Sequence, residues 1–218
     1  MFVIYRITSI PSTNPSPLYQ DDKDKLNIFC LQSFLRFFEE VDIDIIFLAD
    51  NCSDYMLDYL RNVDNSSIIE SKSDINATMV KSYEIAAELD DLVLFQECDY
   101  LYEGYDGDIF VSAIDKLGLV SPYDHLNFYK DRNLHSEQCR IKLIDNHHFR
   151  TTERNTMTWG CHTDLVKRNI DMLKDHGYLD GQVWYDLKDK GYELYVPIPS
   201  FATHMAKDWL APGVEWEL

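Results

Sequence analysis

Apolar residues in the first hundred positions alternate between short continuous runs and stripes at helical spacing. Continuous runs are typical of strands covered on both faces, and stripes at i, i+3 and i+4 indicate amphipathic helices. The runs predict strands at residues 2–8, 44–50, 67–70 and 92–96. The stripes predict helices at residues 23–41, 54–60 and 75–89. This alternating order predicts an α/β fold with a central, mostly parallel sheet flanked by helices.

Residues beyond position 100 follow a less regular pattern. Helices are predicted at residues 108–117, 162–175 and 180–190. Strands or extended segments are predicted at residues 119–122, 140–144, 155–161 and 192–197. With 218 residues and neither an internal repeat nor a clear linker, the chain suits a single domain made of two halves, 1–100 and 101–218.

The chain is strongly negative, with 38 acidic residues, 20 basic residues and a net charge of −18. Nonspecific nucleic-acid binding needs a basic surface, so no nucleic-acid partner is expected. An acidic protein can still bind a nucleoside diphosphate if a divalent cation supplies positive charge, so the composition favours a metal-assisted site. No apolar run reaches 18 residues, so no membrane-spanning helix is expected.

The five cysteines are widely spaced, odd in number and lack a CxxC pair. This pattern favours free thiols in a reducing compartment over a disulfide framework or a zinc cluster. The first residues read as a strand and lack the long apolar stretch of a signal peptide. We therefore expect a cytoplasmic protein.

Polar residues at the ends of the predicted parallel strands are the first candidates for a site, because ligands bind beyond the carboxyl ends of such strands. Arg6 and Thr8 lie at the end of the first strand, and Asp50 ends the second. Asp50 can accept a hydrogen bond from the N–H of a base. It can equally form an Asx-turn or a helix cap, which is the role expected of Asn51 and Ser53.

The fourth strand ends in Glu97, Cys98 and Asp99. Residues two apart on an extended backbone point the same way, so both carboxylates can converge on one ligand. Such a pair suits Mg²⁺ or Mn²⁺, which take hard oxygen ligands and leave positions for water and substrate phosphate. The alternative is a solvated acidic turn, and the spacing alone favours neither.

Other candidates carry less weight. A lone histidine such as His204 is more often a packed or surface residue than a ligand, and the histidines at 147–148 are expected in a loop. The four tryptophans could stack on sugar faces, although Trp184 is expected to fill the core. The chain has no P-loop, GxGxxG or GxSxG, so nucleoside-triphosphate, dinucleotide and serine-hydrolase sites lack their signatures.

Five short motifs occur in an order that resembles the glycosyltransferases of the GT-A fold, in their family 2-like branch. They are ADNCS at 49–53, ECDY at 97–100, a Thr-rich stretch at 151–158, PIPS followed by TH at 197–204, and WLAP followed by W at 209–216. The motifs are particularly similar to a group of small bacterial and viral glycosyltransferases. Each motif is weak alone, but the five together span nearly the whole chain. A viral member of this group is expected in the host cytoplasm.

The resemblance implies a nucleoside-diphosphate sugar as donor and a hydroxyl of a glycan or other molecule as acceptor. Asp50 matches the contact to the nucleotide base, and Lys72 and Asn76 match positions near the nucleoside. The residues that we assign to the nucleotide-sugar site are Arg6, Thr8, Asp50, Lys72, Asn76, Glu97, Cys98 and Trp159. Residues 1–100 are then the nucleotide-binding half, and residues 101–218 are the acceptor-binding half.

The resemblance also implies a bound Mn²⁺ or Mg²⁺. Asp99 matches the metal-binding acid, and His204 matches a carboxyl-terminal histidine that completes the metal site in some enzymes of this fold. Cys98 departs from the pattern, because the family has an acid there and a thiol is a poor ligand for Mg²⁺. Either Asp99 and His204 suffice, or metal binding is weak.

Catalysis in the inverting members of this fold uses a base that takes the proton of the acceptor hydroxyl. Asp180 matches the position of that base. Asp124 is the second candidate, either as base or as a contact to the donor sugar. The metal acts as a Lewis acid that stabilises the charge developing on the leaving diphosphate.

Three other functions stay open. Nucleotidyltransferases share a related sheet and an acidic metal site, but they normally carry a Gly-rich basic loop after the first strand, where this chain has prolines. A carbohydrate-binding protein that kept the fold and lost its chemistry would explain Cys98. A glycoside hydrolase fits least, because its paired carboxylates explain neither Asp50 nor the strand order.

Overall fold

The computed structural model describes residues 1–130, 139–177, 179 and 181–216. The described strands are β1 Phe2–Thr8, β2 Asp44–Asp50, β3 Ser66–Ser71, β4 Leu92–Glu97, β5 Tyr100–Tyr102, β6 Leu119–Val120, β7 Ile141–Ile144, β8 His147–Thr152, β9 Trp159–His162, β10 Leu194–Ile198 and β11 Ala202–His204. The described helices are α1 Lys23–Phe37, α2 Asp54–Leu60, α3 Ile75–Ala87, α4 Gly107–Leu117, α5 Asn127–Lys130, α6 Thr163–His176 and α7 Gln182–Asp189.

One nine-stranded sheet runs through both halves of the chain, in the order β3-β2-β1-β4-β9-β6-β10-β8-β7. Strands β3, β2, β1 and β4 are all parallel, so their carboxyl ends meet at one edge. Strand β9 runs antiparallel to both β4 and β6, β6 pairs in parallel with β10, and the β8–β7 hairpin continues the sheet antiparallel to β10. The predicted α/β class with a central sheet is confirmed, and the parallel pairing is concentrated in the first half.

Helices cover both faces of the sheet. Alternate residues of β1 point into opposite clusters, with Tyr5 on one face and Ile4 on the other. Helices α1, α2 and α4 contribute to the Tyr5 cluster, and α3, α6 and α7 contribute to the Ile4 cluster. Burial on both faces explains why the predicted strands read as continuous apolar runs rather than alternating ones.

The helices of the first half begin where a short polar side chain caps them. Asp22 accepts from the backbone N–H of Lys25, Ser53 accepts from Met56, and Asp74 caps α3 in the same way. The cap expected at Ser53 is therefore confirmed. Helix α1 ends at Phe37 rather than at residue 41, because hydrogen bonds between residues three apart tighten the chain into the turn before β2.

Several elements differ from the sequence prediction. The strand predicted over 155–161 is confined to Trp159–His162, and the histidines at 147–148 begin strand β8 instead of lying in a loop. Strands β5 and β11 were not predicted; each has three residues, and they form a separate two-stranded sheet. Within the described part of the chain, none of the helices has the length and apolar character needed to cross a membrane.

Candidate functional site

A cleft of about 460 Å³ lies at the carboxyl ends of β1, β2 and β4. The sequence-predicted residues that line it are Arg6, Thr8, Asp50, Glu97, Cys98 and Asp99. The strand register explains this convergence, because Thr8 lies beside Asp50 and Arg6 lies beside Glu97 in parallel pairs. Residues 10–13 and 73–75 form the outer walls. The cleft therefore occupies the edge where parallel sheets bind ligands.

An ion pair joins the first and fourth strands inside the cleft. The Nη2 atom of Arg6 lies 2.8 Å from Oε1 of Glu97. Arg6 is buried, and its Nε atom has no hydrogen-bond partner among the residues that the structure describes. The guanidinium borders the cleft, so its charge can attract an incoming anion such as a phosphate.

Asp50 is held rigidly at the opposite side of the cleft. Its Oδ1 atom accepts hydrogen bonds from the hydroxyls of Ser71 and Ser73 and from the backbone N–H of Ser73, and its Oδ2 atom accepts one from Asn51. Burial works against its charge, but these hydrogen bonds outweigh burial and lower the pKa of Asp50. Asp50 is therefore an ionised acceptor whose Oδ2 has capacity for a further donor.

Asp99 is contacted by two basic side chains at a single oxygen. Lys23 Nζ and His204 Nε2 each lie 3.5 Å from Asp99 Oδ2. Burial opposes ionisation, but the charges of His204 and Lys23 outweigh it and lower the pKa of Asp99. Burial likewise opposes protonation of His204, and the Asp99 carboxylate overcomes it and raises the pKa of His204. The pairing of β11 with β5 places His204 opposite Tyr100, next to Asp99.

Cys98 belongs to the buried core cluster that contains Tyr5 and Tyr100, although it also borders the cleft. Burial raises the pKa of its thiol, so it stays protonated and is a poor metal ligand. Glu97 and Asp99, on either side of it, are both partly exposed to the cleft. Cys98 therefore occupies a position turned largely toward the core.

The described residues give only a partial metal site. No group of three or more His, Cys, Asp or Glu side chains within them could hold a metal ion. Asp99 and His204 are two converging ligands, and Lys23 already places a positive charge on the same carboxylate. Mg²⁺ and Mn²⁺ can bind through one or two protein ligands when water and substrate phosphate complete the coordination. Asp99 and His204 can therefore hold a cation only if the nucleotide and water supply the remaining ligands.

Three residues assigned to the nucleotide-sugar site lie elsewhere. Trp159 is fully buried, with its ring centroid 4.6 Å from that of Phe95 and 5.6 Å from that of Trp184. The predicted stacking of Trp159 on a sugar is therefore wrong, because its ring packs in the core. Lys72 and Asn76 are exposed and do not line the cleft. The neighbouring residues 73–75, between them in sequence, line it instead.

The two candidates for the catalytic base have different outcomes. Asp124 is buried, and its carboxylate accepts hydrogen bonds from Arg150 and from the hydroxyl of Tyr129. Burial raises the pKa of Asp124, and Arg150 opposes that effect. Because both oxygens are engaged inside the fold, the prediction of Asp124 as base or sugar contact does not fit its position. Asp180 lies outside the described residues, so its role stays a prediction.

Sequence reasoning missed Lys23 and the two serines that hold Asp50. Lys23 is the first residue of α1, directly after the cap Asp22, and its ammonium is buried against Asp99. Burial disfavours the charge of Lys23, but neighbouring groups that can carry negative charge, among them the Asp99 carboxylate, outweigh burial and raise the pKa of Lys23. No local pattern distinguishes this lysine from others in the chain; only the packing of α1 against the strand end does.

Comparison with known proteins identifies the fold. No protein-family model and no curated protein matches the sequence. Many solved structures match the fold, however, and they include both glycosyltransferases and nucleotidyltransferases. The chain therefore has the GT-A-like α/β fold that these two groups of enzymes share.

Three structures illustrate the likeness. An active-site mutant of the galactosyltransferase LgtC superposes with a TM-score of 0.53 at 12% identity, over 90% of this chain and 72% of that one. A 4-diphosphocytidyl-2C-methyl-D-erythritol synthase from Anaerococcus prevotii gives 0.53 at 16% identity, over 89% and 87%. A nucleotidyl transferase from Methanothermobacter gives 0.52 at 10% identity, over 90% and 86%. At these identities the likeness shows the fold and does not identify the reaction.

Proposed function

We propose that this protein is a glycosyltransferase that moves a sugar from a nucleoside-diphosphate sugar to an acceptor hydroxyl. One observation carries the proposal: a single cleft joins the ionised Asp50 to the Glu97–Asp99 strand end, with the cations of Arg6 and Lys23 lining it. The hydrogen-bond acceptor at one end of the cleft suits a nucleotide base. The cations at the other end, beside the two carboxylates, suit a diphosphate. The five motifs and the fold likeness support the same donor class.

In the proposed complex, Asp50 Oδ2 accepts a hydrogen bond from the N–H of the base. The diphosphate lies toward Arg6 and Lys23, whose donors favour the charge that grows on the leaving group. Arg6 is already oriented by Glu97, and Lys23 by Asp99. These groups need little reorganisation when the donor binds, which is a condition for electrostatic stabilisation of a transition state.

The proposed Mn²⁺ or Mg²⁺ would be held by Asp99 and His204, together with donor phosphate oxygens. Such an ion supplies Lewis-acid stabilisation of the departing diphosphate. His204 is held in place for this task, because its ring also stacks on Trp209, with the centroids 5.5 Å apart. Asp180 stays the proposed base for the acceptor hydroxyl in an inverting reaction.

A thermal-shift and donor-hydrolysis screen tests the proposal. UDP-, GDP-, dTDP- and CMP-sugars are tested with Mn²⁺, with Mg²⁺ and with chelator. We expect stabilisation and slow hydrolysis with one donor class, both of which Asp50→Ala should abolish. The exposed Asp54 offers a matched control, and Asp54→Ala should behave like the wild type. If no nucleotide sugar stabilises the protein under any condition, the glycosyltransferase proposal fails.

A nucleotidyltransferase is the second candidate, because nucleotidyltransferases are among the matching folds. The two functions differ in their substrates. A nucleotidyltransferase transfers the nucleoside monophosphate of a nucleoside triphosphate to a phosphorylated acceptor and releases pyrophosphate. A glycosyltransferase of the proposed kind transfers the sugar and releases a nucleoside diphosphate. Incubation with each nucleoside triphosphate and a sugar 1-phosphate, with pyrophosphate release as the readout, separates them. Pyrophosphate release without sugar transfer would favour this second function.

A further inference from the structure

A second cavity, of about 160 Å³, contains none of the residues assigned to the donor. The side chains and backbone that line it belong to His125, Asn127, Phe128, Arg154, Asn155, Thr156, Gly181 and Trp209. His125 lies on the loop after β6, Asn127 and Phe128 begin α5, and residues 154–156 belong to the segment that precedes β9. Three aromatic rings with a few polar groups make a wall of the kind that binds small organic molecules.

Two contacts connect this cavity directly to the Asp99 end of the donor cleft. The His204 ring lies between the two sites, with Nε2 on Asp99 and its face stacked on Trp209 at an interplanar angle of 28°. Tyr100, which follows Asp99, donates a hydrogen bond from its hydroxyl to Thr156. A molecule in the cavity therefore lies beside the end of the cleft where the donor's diphosphate and sugar are proposed to bind.

Among the residues that the structure describes, the lining of the cavity carries one positive charge and no carboxylate. Arg154 has neither an ion pair nor a side-chain hydrogen bond to any residue that the structure describes. A guanidinium presents its donors as a planar fork that matches a carboxylate or a phosphate.

His125 contributes polarity without charge. Burial, together with the charges of His204 and Arg154, lowers the pKa of His125 to about 4, so its ring is neutral at pH 7. The backbone N–H of Asn127 donates to its Nδ1, which places the proton of the neutral ring on Nε2. His125 is then a neutral hydrogen-bond donor beside Trp209, with the two ring centroids 6.0 Å apart.

Building on the proposed transferase function, we propose that this cavity is the acceptor site and that the acceptor is a sugar with an anionic substituent. The anionic group, a carboxylate or a phosphate, pairs with Arg154. The sugar ring packs against Trp209, and His125 donates to one of its oxygens. The preference for an anionic acceptor comes from Arg154, the only charged group in the described lining of the cavity.

Ligand-observed NMR with three probes tests this site. The probes are glucose, glucuronate and glucose 6-phosphate, each titrated in the presence of the nucleoside diphosphate that binds best. We expect the anionic sugars to bind at least about tenfold more tightly than glucose, as suits a hydrogen-bonded charge pair. Arg154→Gln should remove this preference while leaving the weak binding of glucose. The exposed Arg36 offers the control Arg36→Gln, which should change neither.

The carboxylate and phosphate arms identify which anion the site prefers. Equal affinity for all three sugars, or an unchanged preference in Arg154→Gln, would overturn the anionic acceptor. Nucleotide binding is measured on the same samples by titration calorimetry, so the two proposals fail separately. Nucleotide binding without anion preference leaves the transferase and removes this inference. Anion preference without nucleotide binding keeps the cavity as a sugar site and removes the transferase.

Discussion

Individual charges in the site are arranged in opposed pairs. Arg6 faces Glu97, and Lys23 faces Asp99, so each carboxylate of the strand end has a cation from another element. Both cations are buried, and a charge out of water is costly unless it is paired. The pairs therefore orient two cations toward the cleft, where an anionic ligand can share them.

Lys23 is expected to bind the diphosphate. We expect Lys23→Met to weaken the affinity for a nucleoside diphosphate about tenfold or more, because a charge-assisted hydrogen bond is lost. Titration calorimetry with UDP and GDP measures the change, and Lys23→Arg should retain most of the affinity. Lys25, exposed on the same turn of α1, provides the matched control Lys25→Met. Unchanged affinity in Lys23→Met would show that Lys23 only balances the charge of Asp99.

The site residues differ in how far their roles can be predicted from the sequence. Asp50, Glu97 and Asp99 could be predicted because each follows an apolar strand, which local pattern reveals. Lys23 and Arg154 could not be predicted from the sequence. Lys23 is set apart by a partner distant in sequence, Asp99, and Arg154 is set apart by having no such partner among the described residues. Trp159 was misassigned because an aromatic residue reads alike in sequence whether it faces the core or a ligand.

Among the elements, strand β8 carries a buried cation that binds the loop after β6. Arg150 on β8 pairs with Asp124 on the loop after β6, and its guanidinium also lies over the rings of Phe128 and Tyr129. Both partners of the ion pair are largely out of water. The pair therefore fixes this loop, which also carries His125 of the acceptor cavity.

Removing one partner of the Arg150–Asp124 pair should lower the free energy of unfolding more than removing both. We expect Arg150→Met to lower the free energy of unfolding by about 3–5 kcal/mol, because Asp124 is left charged and buried. The double variant Asp124→Asn with Arg150→Met should recover part of that loss. Urea unfolding at pH 7 measures both. A double variant as unstable as the single one would contradict the ion-pair explanation.

Helices α1 and α4 meet at a glycine. A Cβ added at Gly107 would lie 2.6 Å from the backbone oxygen of Phe37 and 2.8 Å from the Phe38 ring. Alanine favours helices by at most about 1 kcal/mol over glycine, whereas overpacking costs about 1–3 kcal/mol, so the clash should win. We expect Gly107→Ala to destabilise the protein in urea unfolding. Asp108→Ala, at the next and exposed position, should have the smaller effect.

At the scale of the whole molecule, the net charge of −18 is a source of self-repulsion. Salt screens this repulsion, since the Debye length falls from about 30 Å at 0.01 M to about 8 Å at 0.15 M. We expect the Tm to rise by roughly 2–4 °C between these NaCl concentrations, which corresponds to about 1 kcal/mol for a domain of this size. Differential scanning calorimetry measures the shift.

The same repulsion affects the interpretation of thermal-shift experiments with metal ions. Any divalent cation should stabilise so acidic a protein somewhat. Samples with and without Mn²⁺ must therefore have the same ionic strength before stabilisation is attributed to a specific Mn²⁺ site. A specific site should lose its added stabilisation in Asp99→Asn. A fall in Tm with added NaCl would mean that the opposed charge pairs outweigh the net repulsion.

The sequence by itself determined the α/β class, the four parallel strands of the first half and the acidic strand ends that face one edge. These follow from local periodicity and from the rule that parallel strands end together. No local pattern places His204 beside Asp99; only the resemblance implied it, and the pairing of β11 with β5 across about a hundred residues brings the two together. Tertiary structure alone decided that Asp124 is engaged by Arg150 and that Trp159 is core. Partners distant in sequence leave no local pattern, so only packing reveals which polar group is satisfied and which is free to bind.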